Sequence, residues 1–176
     1  MTPRSRNSMA AALSVLMTAV IWVTALIGVL SVIVLTIGLF ASLNGGQLDL
    51  AVGDANADIE PMTIGLALAT LIVIFPGIIY VCIQLRRILT TLAEGDPFVP
   101  ENAGRLSRIA IALGAMELLS IILTLVMRAA ISPEDAEFAP DLSINLVVWA
   151  AVAALLILSQ VFREGTRLRD EEKMTI

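Results

Sequence analysis

Four long apolar runs, separated by segments that hold nearly every charge, constrain this chain of 176 residues more than anything else in it. The runs cover about 10–43, 62–85, 109–131 and 142–162. A helix needs about 20 predominantly apolar residues to cross a hydrocarbon core about 30 Å thick, and each run is long enough. Transmembrane strands are excluded, because they are shorter and alternate apolar with polar residues. Only helices and closed barrels satisfy every backbone polar group in lipid, so the runs predict an all-α integral membrane four-helix bundle. Residues 1–176 form one membrane domain in this reading, with a hairpin at 86–108 and a tail at 163–176.

The first run carries no charge and would reach about 50 Å as a continuous helix. It must therefore tilt, project beyond the bilayer or break, and Ser14, Thr18, Thr24 and Gly28 mark a face for helix packing. Arg4 and Arg6 ahead of it resemble the start of a signal peptide, but the run is too long for a signal core and no small-x-small cleavage site follows. The second run contains Pro76-Gly77, which removes a backbone hydrogen bond and predicts a kink.

Charge sets the orientation. Arg4 and Arg6, then Arg86, Arg87, Arg105 and Arg108, then Arg163, Arg167, Arg169 and Lys173 fall on one side. The two opposite loops hold Asp49, Asp54, Asp58 and Glu60, and Glu134, Asp135, Glu137 and Asp141, with no Lys or Arg. The positive-inside rule then predicts both termini in the cytoplasm. The remaining basic residue, Arg128, sits near the outer end of the third run, where it can snorkel to the interface and meet Glu134 or Asp135.

The chemistry-bearing residues are sparse. There is no histidine, the commonest general base and metal ligand near neutral pH, and the single cysteine, Cys82, lies inside an apolar run. No phosphate-binding glycine loop, nucleophile elbow, EF-hand loop or spaced cysteine cluster occurs. The expectation is a non-enzymatic protein with no catalytic residue, cofactor or metal site.

Two groups of residues remain as candidates. Glu117 is the one carboxylate inside an apolar run and is expected to face the bundle interior, near Gln160 or hydroxyls of the first span, as a proton- or ion-linked site or as a structural hydrogen-bonding group. The hairpin is the other. Leu85, Ile88, Leu89 and Leu92 recur at helical spacing, so the second helix should continue beyond the membrane until Gly95-Asp96-Pro97 ends it. Phe98 to Asn102 then form a turn before Arg105 and Arg108 open the third helix. Arg86, Arg87, Phe98, Glu101, Asn102, Arg105, Arg108, Arg163 and Arg167 are the candidate partner-binding residues, although the same charges suit anionic lipid headgroups. The tail alternates charge, as a solvated helix end or a disordered terminus does. Small residues at four-residue spacing, such as Gly65 and Ala69, Ala110 and Gly114, and Ala150 and Ala154, allow close helix approach within the bundle or in a homo-oligomer.

The stretch Leu85-Arg86-Arg87-Ile88-Leu89, followed by Glu94-Gly95-Asp96-Pro97-Phe98-Val99-Pro100-Glu101-Asn102-Ala103-Gly104-Arg105-Leu106, resembles the signature loop of a bacterial membrane family called domain of unknown function 2975. The run from Leu158-Ser159-Gln160 through Arg169-Asp170-Glu171 is similar to that family's closing segment, whereas the first span matches only in hydropathy. The resemblance implies a four-helix protein of the bacterial cytoplasmic membrane, often encoded beside a small helix-turn-helix regulator. It implies no catalytic or binding residues. Two functions follow as expectations. One is a membrane regulator or scaffold whose hairpin and tail bind a small helix-turn-helix DNA-binding protein, with no direct contact to nucleic acid. The other is a small proton- or ion-linked transporter, or a subunit of one, that uses Glu117.

Overall fold

The structure is a computed structural model that describes residues 3–44, 61–95, 98–130 and 142–174. It consists of four helices: α1 (Pro3–Leu43), α2 (Pro61–Ala93), α3 (Pro100–Ala130) and α4 (Leu146–Met174). All four are long and apolar enough to cross a bilayer, and no strand occurs among the described residues. The acidic loops lie outside the described residues, as do Glu134 and Asp135, the partners expected for Arg128.

The first helix is continuous. At 1.5 Å per residue its 41 residues measure about 60 Å, about twice the hydrocarbon thickness. α2 likewise continues as one helix past Pro76. It ends where the notched sequence requires: the Gly95 amide donates to the Leu92 carbonyl, and Gly95 has φ of +90°, a conformation that costs a side-chain-bearing residue energy but suits glycine at a helix C-terminus.

The expected turn at Phe98 to Asn102 is shorter than the sequence reading placed it. α3 already begins at Pro100, so Glu101 and Asn102 belong to its first turn. Proline favours the first helical position, where its missing N–H is not needed, and Glu101 complements the positive end of the helix dipole. The tail is helical as well, since α4 runs on to Met174.

Packing is sequential. α1 lies against α2, α2 against α3, and α3 against α4. Along α2 the contacts with α1 involve Leu71, Ile72, Phe75 and Ile79, which line a cleft of about 330 Å³ with Ala25, Gly28 and Val32. The opposite neighbours meet at Ile88, Leu106 and Ile109, around which Val81, Leu113, Leu155 and Phe162 close. α2, α3 and α4 therefore share one core, and α1 flanks it. Antiparallel packing puts the N-terminus of α1 and the C-terminus of α4 at the end that carries the α2–α3 hairpin, the basic end.

Burial is uneven along this bundle. Twelve described residues other than glycine are buried, and ten of them lie at the basic end: Gln84, Ile88, Leu89, Asn102, Ala103, Leu106, Ile109, Ala110, Ser159 and Thr166. The spans, by contrast, expose large apolar side chains such as Trp22, Phe40, Ile72 and Leu118. Lipid solvates those faces as well as another helix would, so tight packing gains little there. Where the helices leave the apolar zone, water again drives apolar burial.

Candidate functional site

The hairpin is organised by Asn102, which is fully enclosed. Its Nδ2 donates to Thr91 Oγ1 at 2.7 Å, bridging α3 to the last turn of α2, and its Oδ1 accepts from Arg105 Nη1 at 2.8 Å. The same Arg105 nitrogen donates to the Arg87 carbonyl at 3.1 Å. One asparagine and one arginine thus tie the start of α3 to the end of α2 through a side-chain hydroxyl and a backbone carbonyl. Gln84, about two turns before Thr91 on α2, is also buried, and its Oε1 has no hydrogen-bond partner among the described residues.

This hairpin is docked on α4. Ser159 Oγ donates to the Ala103 carbonyl at 2.7 Å, and Thr166 Oγ1 lies 3.3 Å from the Phe98 carbonyl and 2.9 Å from that of Phe162. The Phe98 and Phe162 rings stack at 5.5 Å between centroids. Gly165 gives Phe98 room: a Cβ there would stand 3.1 Å from the ring. On α4 the hydroxyls of Ser159 and Thr166 face the backbone carbonyls of Ala103 and Phe98, an arrangement that fixes register as well as contact.

The candidate partner-binding residues divide accordingly. Asn102 and Arg105 face inward and hold the hairpin together. Phe98 is shared between the hairpin–α4 contact and solvent. Arg86, Arg87, Glu101, Arg108 and Arg163 are exposed, and the four arginines among them make no ion pair among the described residues. Arg167 pairs with Glu164 and, at 3.7 Å, with Glu171 on its own helix. Such exposed pairs contribute at most about 1 kcal/mol each. Thr91, Ser159 and Thr166 were not singled out by the sequence, because hydroxyls in helices are ordinarily satisfied by their own backbone. Thr90 shows that alternative by donating to the Arg86 carbonyl.

Glu117 does not meet Gln160. Gln160 is exposed, one residue beyond the Ser159 tie to Ala103, and therefore sits fourteen to fifteen residues along α3 from Glu117, about 22 Å at helical rise. Glu117 Oε1 instead accepts the backbone N–H of Asn145 at 3.1 Å. Asn145 is the N-cap of α4: its Oδ1 accepts from the Val147 and Val148 amides at 3.1 and 3.4 Å. In a capping box, a glutamate in the helix's own first turn reaches back to the N-cap N–H. Here that position is the apolar Val148, and α3 supplies the carboxylate. The four residues expected to begin the fourth span, 142–145, are not helical.

Register follows from these ties. Asn145 meets Glu117 and Ser159 meets Ala103, fourteen residues apart on both helices. α3 continues thirteen residues beyond Glu117 to Ala130, about 20 Å, whereas α4 begins there. Met116 packs against Gly77, so α2 also extends well past this level. Arg108 and Arg128 stand twenty residues apart on α3, about 30 Å, which matches a hydrocarbon core, and Glu117 lies near the midpoint.

Residues 2–176 match the family model described as protein of unknown function (DUF2975). The chain belongs to the DUF2975 family. The match includes the first helix, which the sequence reading had tied to the family by hydropathy alone. No curated protein and no solved structure matches this DUF2975 protein.

Proposed function

We propose that this DUF2975 protein is a non-enzymatic, multi-pass protein of the bacterial cytoplasmic membrane, with its basic end in the cytoplasm, that acts as a regulator or scaffold for a small helix-turn-helix DNA-binding protein. The observation that carries this reading is the concentration of burial and of side-chain hydrogen bonds at the basic end. A loop that only joins two spans needs no enclosed asparagine and no docking onto a fourth helix. A rigid platform that must present Arg86, Arg87, Arg108 and Arg163 in fixed relation does. The charge asymmetry supports a cytoplasmic placement of that platform, and its positive surface complements an acidic face on a partner.

The test is a crosslinked pull-down from native membranes. Wild type is compared with a variant in which Arg86, Arg87, Arg108 and Arg163 become Gln, with membrane insertion checked separately. Arg105 is left intact, since it holds the hairpin. Recovery of a small helix-turn-helix protein, identified by mass spectrometry, with wild type and at least ten-fold less with the variant supports the reading, a loss of about 1.4 kcal/mol or more in binding. Equal recovery, or none with either, removes it.

A further inference from the structure

We propose that Glu117 makes α4 a proton-responsive lever: the ionised carboxylate holds the first turn of α4, and its protonation releases that turn and loosens the hairpin docked at the helix's other end. The inference rests on the proposed role of the hairpin as a partner platform and supplies the signal that would regulate it.

The geometry assigns the parts. At its N-terminus α4 is tied to α3 by the Asn145 N–H to Glu117 Oε1 hydrogen bond. At the other end it is tied by Ser159 to the Ala103 carbonyl, by Thr166 to the Phe98 carbonyl, and by the Phe98–Phe162 stack. Between the two, α4 is one helix without a proline, and helices transmit displacement along their length because their hydrogen bonds are internal. The Ser159 bond, the longer Thr166 contact, the aromatic pair and the packing of Leu155 and Phe162 on the shared core are the contacts that an axial or tilting motion of α4 would strain.

The carboxylate is the element that a proton can change. Ionised, it accepts a charge-assisted bond and faces the positive end of the α4 dipole; protonated, it loses the charge that makes both interactions strong. No other charged group competes within the packed elements. α3 has none between Arg108 and Arg128, α4 has none between Leu146 and Arg163, and α2 between Pro61 and Arg86 has only the titratable Tyr80 and Cys82. Asp141, four residues before Asn145, lies outside the described residues and is controlled for below. Glu117 is half-buried, and α4 begins at its level, so α4 does not cover it on the acidic side.

The chain carries its own reporter, because Trp149 occupies the first turn of α4 and the only other tryptophan is Trp22. The experiment uses full-length protein with Trp22→Phe in lipid nanodiscs. Trp149 emission and amide hydrogen exchange of residues 98–106 are followed as pH is lowered from neutral. The expected result is a single transition, with the emission shift and a several-fold rise in hairpin exchange sharing one midpoint. With Glu117→Gln added, both readouts should be independent of pH, with hairpin exchange at the fast level throughout. Glu117→Asp, whose shorter side chain falls short of the Asn145 amide, should also show fast exchange at neutral pH, and it decides the matter if the Gln variant does not fold. Asp141→Asn should keep the transition. A response that persists in Glu117→Gln, a response lost in Asp141→Asn, or an emission shift without a change in hairpin exchange overturns the proposal. None of these readouts requires a partner, so the lever can fail while partner capture succeeds, and the reverse.

Discussion

Asn102 and Gln84 are both buried amides at the basic end, and they differ in what surrounds them. Asn102 bonds to Thr91 and Arg105, so Asn102→Ala leaves the Thr91 hydroxyl and the Arg105 guanidinium without that partner. Removing one member of a buried hydrogen-bonded set costs about 1–3 kcal/mol. Reversible unfolding in micelles should therefore show a loss of that size, with faster exchange confined to the hairpin. Gln84 Oε1 is buried without a partner among the described residues, and an unsatisfied acceptor carries a similar penalty in the folded state. Gln84→Met, close in volume, is expected to raise stability by about 1 kcal/mol, and an unfolding midpoint that falls instead would show that the amide has a function that outweighs its cost. Neither environment was legible in the sequence. Asn102 stands among Pro, Glu and Gly residues and reads as part of a solvated turn, and its burial depends on Thr91 and on α4, which are distant in sequence. Gln160 misled in the opposite sense: α4 is apolar on all sides over its first four turns, so no periodicity tells which face a lone glutamine takes.

At the scale of helices, the ends of α1 and α2 at Leu43 and Ala93 follow from hydropathy and from Gly95, whereas α1 starts at Pro3, ahead of its apolar run, and α3 at Pro100, inside the expected turn. Helix pairing is another matter, because it is set by local shape. α1 meets little besides α2, and at Gly28 the Phe75 side chain occupies the space of the missing Cβ: a Cβ there would stand 2.8 Å from Phe75 Cγ and 3.2 Å from Phe75 Cβ. The Phe75 Cβ cannot move away without its backbone. Gly28→Ala should then separate the two helices locally and cost about 1–3 kcal/mol, the usual range for overpacking. Adding Phe75→Leu should recover most of the loss, and a double-mutant cycle in bilayers that finds the two changes simply additive would show that this contact does not set the α1–α2 distance. The hairpin core should be indifferent to either change, since Ile88, Leu106 and Ile109 belong to the opposite side of α2. Small residues at four-residue spacing were visible in the sequence, yet Gly28 was read only as one member of a packing face, because what makes it necessary is an aromatic ring 47 positions away.

For the molecule as a whole, the decisive quantity is the depth at which α4 begins. Four hydropathy peaks of similar length read as four equivalent crossings, and nothing in a hydropathy profile reports the axial offset between neighbouring helices. That offset is set by Glu117 with Asn145 and by Ser159 with Ala103. If Arg108 and Arg128 mark the two edges of the hydrocarbon, the N-cap of α4 lies near mid-bilayer, and Trp149, four residues on, sits about 6 Å from that level toward the basic end. Non-helical backbone at such depth is tolerated only where protein covers it or a polar cavity solvates it, which is why the first turn of α4 carries both a side-chain cap of its own and a carboxylate from α3. Depth-dependent quenching tests this directly. In a Trp22→Phe background, Trp149 should be quenched most by lipids brominated in the middle of the acyl chain and least by those brominated near the headgroup. A fourth helix that began at the outer interface, as 142–162 read alone would have it, would place Trp149 about 10 Å below that interface and on the acidic side of the midplane, so a quencher confined to one leaflet separates the two: the basic-side leaflet should quench Trp149 more if α4 begins at the level of Glu117, and the acidic-side leaflet more if it begins at the interface. The same samples carry a second reading, since Asn145→Ala removes the side-chain cap but retains the N–H that Glu117 accepts. If the carboxylate sets the depth of α4, Asn145→Ala should leave the quenching profile in place and Glu117→Gln should broaden it or shift it toward the headgroups.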